Sequence, residues 1–267
     1  MSRTAVLTVA HGRHEHLAAQ EASLATSTRP ADVRVVVALG DPAIQGPHVL
    51  HVDADPAALP VAAGRNRAAE AAIAAGAEVL VFLDVDCLVA PGTVAAYERA
   101  VAARPDALWS GPVTYLPAEA RPYRLDALPD LDDPHPARPA PAPGERVPEP
   151  RWELFWSLSF ALHADAWRAT GGFDEAYAGY GAEDTDFGQR AARAGLELWW
   201  DGSARAYHQH HPVSRPPVEH AAAIVRNGRV FHERWGWWPM SGWLEEMAAL
   251  GVVRRDGDGW ALAEPAP

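Results

Sequence analysis

The sequence predicts an α/β fold in which helices cover both faces of a parallel sheet. Two observations predict it. Apolar runs of strand length alternate with helical segments through the first half of the chain. One of those runs, "EVLVFLD", ends in a pair of aspartates, Asp84 and Asp86, at the strand end where open α/β sheets bind ligands.

The elements follow in order. "TAVLTVA" (residues 4–10) reads as a buried strand, "HEHLAAQEASLAT" as a helix and "DVRVVVAL" (32–39) as a second strand. After "HVLHV" come the alanine-rich helix "GRNRAAEAAIAAG", the strand "EVLVFLD" and a helix over 93–103 entered through "APG". From Leu116 to Pro150 ten of 35 residues are proline, so regular structure is not expected across most of the segment, and a loop this long is either a mobile functional loop or a linker. "RWELFWSLSFALHADAWRAT" then predicts a strand and a short helix, and "GGFDEAYAGYGAEDTDFGQRAARAG" a loop leading into a helix. "LELWWDGSARAYHQHH" predicts a strand leading into a histidine cluster. The tryptophan-rich remainder reads as helical, ending in a hairpin, "VVRRDGDGWALA", with Asp-Gly as its turn.

Composition limits the function. The 267 residues are 48% hydrophobic and 22% charged, ordinary for a soluble enzyme, and the net charge of −12 disfavours a nucleic-acid partner. All 23 basic residues are arginine, which with the abundance of Ala, Pro and Gly reads as the codon bias of a GC-rich, bacterial genome. A single cysteine, Cys87, excludes an internal disulfide and suits a reducing cytosol. No apolar run reaches a membrane span and the first residues break too early for a signal peptide. A cytoplasmic location is expected, with no transmembrane segment and peripheral membrane association left open.

Ionised carboxylates leaving water need a partner, so the Asp-x-Asp asks for a cation, unless it merely caps the next helix. "YHQHH" supplies His208, His210 and His211, and imidazoles beside a carboxylate favour manganese, with magnesium as the alternative. In "GYGAEDTDFGQR" the acidic set Glu183, Asp184 and Asp186 opens a helix. Capping accounts for one or two of the three; a general base is the other role for an exposed carboxylate there. Eleven tryptophans occur. Those in "RWGWWPMSGW" read mainly as core, whereas Trp199, Trp200 and Tyr180 lie nearer the acidic segment and are better candidates for stacking on a ligand.

Four segments together carry a resemblance: "GRHEHL", "GRNRAAEAA", "FLDVDC", and "GGFDEAYAGYGAEDTDFGQRAARAG" followed by "HQHH". The chain resembles the GT-A glycosyltransferases, family 2 in general and the β-1,4-galactosyltransferases in its second half. The resemblance implies a Rossmann-like nucleotide-sugar-binding half (1–115), a proline-rich loop (116–150) and an acceptor-binding, catalytic half of the same domain (151–267). It implies a metal held by Asp86, His208 and His211, with His11, Arg13, Asp41, Arg67 and Asp84 around a UDP-sugar donor. It makes Asp184 the catalytic base, with Tyr180, Glu183, Thr185 and Trp199 around a carbohydrate or glycoconjugate acceptor. The expected reaction is inverting transfer of a hexose, galactose-like, to a hydroxyl. Three features depart from the family: "VAH" precedes "GRHEHL", and Tyr180 and Ala182 stand where a tryptophan and a glycine are usual. Two other functions fit the same residues: a sugar-nucleotide nucleotidyltransferase, disfavoured by the lack of lysine and of a glycine-rich phosphate loop, and a non-catalytic carbohydrate-binding protein.

Overall fold

The computed structural model describes residues 2–263; Met1 and residues 264–267, the outer ends of the two expected halves, lie outside them. The chain runs β1 (Thr4–Ala10), α1 (His14–Ala25), β2 (Val33–Leu39), β3 (Val49–Val52), α2 (Val61–Ala74), β4 (Val79–Leu83), β5 (Cys87–Val89), α3 (Thr93–Ala103), β6 (Ala107–Ser110) and β7 (Val113–Tyr115). It continues β8 (Arg146–Pro148), β9 (Ser159–His163), α4 (Ala164–Thr170), α5 (Glu183–Arg193), β10 (Glu197–Asp201), β11 (Ala206–His208), α6 (Ala221–Trp235), α7 (Ser241–Ala249), β12 (Val253–Asp256) and β13 (Gly259–Leu262). Among the described residues no helix is long and apolar enough to cross a membrane.

Eight strands form the main sheet in the order β3-β2-β1-β4-β9-β6-β10-β8. It is mixed, which corrects the expectation of a parallel sheet. β1 to β4 are parallel, but β9 runs antiparallel to both β4 and β6. The chain enters β9 at the carboxyl end of the sheet, with Ser159 beside Leu83, and no crossover helix has returned it to the other end. β9 belongs to the second half of the sequence yet lies between β4 and β6 of the first, so one sheet spans both halves.

Alternation along β4 divides the core. Leu80 and Phe82 face α2, α4 and α5, where Phe82 stacks on Phe160 at 4.5 Å; Val79, Val81 and Leu83 face α3, against Tyr97 and Trp109. Both faces are covered, which is why β4 shows a continuous apolar run.

A second sheet, β5-β11-β7, lies beyond the carboxyl end of β4. Expected as one strand leading into the histidines, the stretch after Leu196 is two: β10 closes in the main sheet, and β11 carries His208 in the small one. The proline-rich segment is stitched down. Leu116 and Leu128 are buried, Asp132 pairs with Arg205, and its end forms β8 against β10. The C-terminal hairpin turns on Gly257-Asp258, between paired Asp256 and Gly259, and not on Asp-Gly. Gly257 has φ +61, the positive φ that a two-residue hairpin needs at its first central position.

The chain leaves the main sheet after β6 through Gly111, where a Cβ would lie 1.7 Å from the Ala204 carbonyl oxygen on the stretch joining β10 to β11. The two backbones that feed the small sheet touch here. Gly111→Ala is expected to destabilise by more than about 2 kcal/mol in urea denaturation, whereas Gly92→Ala, with open space around it, should stay within about 0.5 kcal/mol. Equal stability of the two variants would contradict this crossing contact.

Candidate active site

The turn after β4 sets out the two aspartates. Asp84 accepts the Cys87 amide (2.9 Å) on its carbonyl, which closes the turn, and Gln20 of α1, fully buried, donates to the carbonyls of Asp84 (2.7 Å) and Cys87 (3.0 Å). The carboxylates then part. Asp84 Oδ1 accepts from Arg65 of α2 (2.9 Å), while Asp86 faces His208, His211 and Arg13. The two aspartates therefore do not face one cation, as their spacing suggested.

The small sheet brings the histidines to Asp86. β11 pairs antiparallel with β5 so that His208 lies opposite Cys87, and the Gln209 amide donates to the Asp86 carbonyl at 2.7 Å. His208 Nε2 and His211 Nε2 each stand 3.4 Å from an Asp86 oxygen. Tyr115 of β7, in register with His208, stacks on its ring at 4.7 Å. The three residues offer ligand atoms within 4.8 Å of one another, and Asp86 Oδ1 is buried without a hydrogen-bond partner. Burial works against the Asp86 charge, yet the His211 hydrogen bond, the neighbouring His208 and His211 rings and the Arg13 guanidinium hold its carboxyl below the usual range. Burial lowers His208 and so favours the neutral, ligating imidazole. An ionised carboxylate with two imidazoles fits a divalent transition-metal ion.

The acidic loop is fixed from α6. Asn227, fully buried, donates to the carbonyls of Ala178 (3.2 Å), Tyr180 (3.2 Å) and Gly181 (2.9 Å). Ala182 is held at φ +74, a left-handed conformation that costs alanine about 1 kcal/mol and glycine almost nothing. Asp184 follows in the first turn of α5, half-buried. Burial first, and then the Glu183 charge, push its carboxyl up to about 7, despite bonds from the Thr185 amide (2.7 Å) and hydroxyl (3.2 Å). Asp84 is likewise pushed up to about 6, by burial and against Arg65.

The fold brings Asp84, Asp86, Arg13, His208, His211, Glu183, Asp184, Thr185 and Tyr180 to one end of the sheet. Tyr180, 39% exposed, stacks on His220 at 4.5 Å and lies 5.9 Å from Trp243. Asp41 holds the β1–α1 turn, accepting from the Gly12 amide (2.8 Å) and pairing with His14 (2.8 Å), and His11 bonds the Leu39 carbonyl (2.6 Å). Other expected residues lie elsewhere. Arg67 has a side chain 57% exposed and paired with Glu70, and Arg65 takes the place beside the carboxylates. Trp199 packs on Trp109 under the Arg104 guanidinium, and Trp200 is wholly buried beside Arg138. Asp186 is buried as well and accepts from Tyr177, Arg234 and Trp235, a structural role. Arg65 had a signal in the sequence: with Ala68, Ala69 and Ala72 it falls on the buried stripe of α2, which Arg67 does not.

Residues 146–225 match the family described as "N-terminal domain of galactosyltransferase". Among curated proteins, none matches the chain in sequence. Solved structures are similar in fold. The 1–349 fragment of S. aureus TarS is 12% identical with a TM-score of 0.57, over 86% of this chain and 65% of that one. The same fragment in complex with UDP-GlcNAc gives 12% and 0.58, over 91% and 76%. GalNAc-T7 with UDP, GalNAc and Mn2+ gives 13% and 0.56, over 93% and 57%. In the first of these alignments this chain spans 65% of the TarS fragment. Its architecture is the GT-A fold.

Asp86→Ala and His211→Ala should each weaken manganese binding by at least the roughly 10–100-fold that outer-shell substitutions cost, read by calorimetry. Unchanged affinity in both variants would reject the triad as a metal site.

Proposed function

We propose that this chain, with its GT-A fold, is a metal-dependent, inverting glycosyltransferase that moves a hexose, of galactose type, from a UDP-sugar to a hydroxyl of a glycan or glycoconjugate. The observation that carries the reading is the meeting, at one sheet end, of the Asp86, His208 and His211 triad with the raised carboxyl of Asp184 at the start of α5. The galactosyltransferase match over 146–225, and the UDP, UDP-GlcNAc and Mn2+ named with the neighbours, support it. A cytoplasmic location accords with the free, buried Cys87.

Asp86, His208 and His211 would hold manganese, with magnesium as the alternative. When bound, such an ion supplies Lewis-acid charge that offsets the negative charge developing on a departing diphosphate. Arg13, 3.9 Å from Asp86, adds a fixed positive charge on the same side. His11 and Asp84 flank the donor, and Asp41 shapes its pocket by fixing Gly12. On the other side Asp184 removes the proton of the acceptor hydroxyl as its oxygen attacks the anomeric carbon opposite the leaving group. A single displacement inverts the configuration. Tyr180 offers a ring for the acceptor sugar, and Thr185 keeps the Asp184 carboxylate oriented.

Incubation with a panel of UDP-sugars and manganese should release UDP slowly, and faster with an acceptor. Pyrophosphate-dependent exchange would instead mark a nucleotidyltransferase, and sugar binding without turnover a carbohydrate-binding protein. Asp184→Asn should lower transfer by roughly 10²–10⁴-fold with donor affinity retained. Under helix capping alone asparagine serves as well as aspartate, so a near-native rate in that variant would overturn the assignment.

A further inference from the structure

Arg65 joins the two sides of this site. Its side chain is 7% exposed and lies 5.0 Å over the Phe173 ring, with Nη2 on Asp84 (2.9 Å) and Nη1 on Glu183 (3.1 Å), a residue 118 positions away. Capping does not explain Glu183: it begins α5 with Ala182 as cap residue and no side-chain cap bond, and it pairs instead with Arg65. Glu183 therefore stands, fixed by Arg65, next in sequence to Asp184.

We propose that Arg65 is a positioning residue: it clamps Glu183 against α2 while holding Asp84 at the end of β4, and its guanidinium offsets the negative charge that these carboxyl groups gather beside Asp184. The inference rests on the glycosyltransferase reading for its consequence and on the clamp geometry for its cause. A second negative charge beside a fixed one is disfavoured, so an ionised Glu183 strengthens the hold of Asp184 on a proton. The Asp184 carboxyl, pushed up by burial and Glu183 to about 7, agrees with that arrangement.

Other groups face Asp184 from each element around it. Thr185, on its own helix, bonds the charged form, and Arg65 of α2 favours it. Arg138, from the proline-rich segment, interacts with it from a buried position between Trp156 and Trp200. Tyr180 remains a neutral phenol, pushed up to about 12 by burial and then by Asp184 and Glu183. Asp186 is engaged elsewhere by Tyr177, Arg234 and Trp235. Asp84 and Glu183 are the other carboxyl groups of this set, and Arg65 holds both.

The test is a pH titration of the full chain labelled with carboxyl-13C aspartate, with Asp184→Asn assigning the resonance, beside the pH profile of kcat/KM for UDP release. Wild type should titrate near 7. The deprotonated form is the base, so the rate should rise through that pH and level above it. Glu183→Gln should lower the Asp184 midpoint by roughly one pH unit and move the acid limb with it. Arg65→Gln should raise the midpoint, and Arg65→Lys, which restores the charge, should return it toward wild type. A merely structural role would lower rates without moving midpoints. An unmoved Asp184 midpoint in Glu183→Gln, which is isosteric and spares the Arg65 side chain, overturns the proposal even if transfer is observed. Shifted midpoints in a chain that transfers to no acceptor would remove the glycosyltransferase reading while the clamp stands.

Discussion

Three residues on two segments far apart in sequence form the candidate metal-ligand set, and what brings them together is the pairing of β5 with β11. With His208 opposite Cys87, the ring lies over Asp86 and the Gln209 amide continues the ladder to the Asp86 carbonyl. A slip of one residue would turn His208 to the opposite face and separate it from the carboxylate. The register is held from several directions. Tyr115 stacks on His208 from β7, Gln20 fixes the Asp84–Cys87 turn from α1, and the Gly111–Ala204 contact leaves no room for either feeding strand to shift. The candidate metal site is thus a property of the small sheet's register more than of any loop.

Electrostatics divide the carboxylates into two groups with different chemistry. Asp86, facing Arg13 and two imidazoles, is kept charged even though it is buried. Asp84, Glu183 and Asp184 share the field of one guanidinium, Arg65, and three carboxylates around one cation cannot all ionise cheaply. Burial pushes up both Asp84 and Asp184, and Asp184 further, to about 7 against about 6, because Asp84 has a direct bond to Arg65 and Asp184 has none. Charge is held beside the imidazoles, on Asp86, and the raised carboxyls stand around Arg65, in one continuous cluster at the sheet end.

Much of this was legible in the chain. β1, β2, β4 and α3 lie where apolar periodicity puts them, and Asp84 does fall just beyond a strand end. Strand direction is not written in composition, so the antiparallel β9 was missed. Arg65 and Arg67 are two residues apart on one helix, about 200° around it. A motif makes them look equivalent, and only the stripe of buried alanines tells them apart. Trp199 lies near the acidic segment in sequence, yet β10 carries it under Arg104. Gln20 and Asn227 carry no motif at all. Their role is to satisfy backbone carbonyls at the DVD turn and the Gly179–Ala182 loop, and such a role becomes visible only once those carbonyls have positions.

Anomalous diffraction at the manganese edge, from crystals grown with manganese and UDP, would locate the cation relative to the two groups of carboxylates. One strong peak is expected within bonding distance of a carboxylate oxygen of Asp86 and of the imidazole nitrogens of His208 and His211, with UDP reaching it from the His11 and Arg13 side. A peak coordinated by Asp84 and Glu183 instead, with the histidines unligated, would contradict the division of the site into a cation side and a base side.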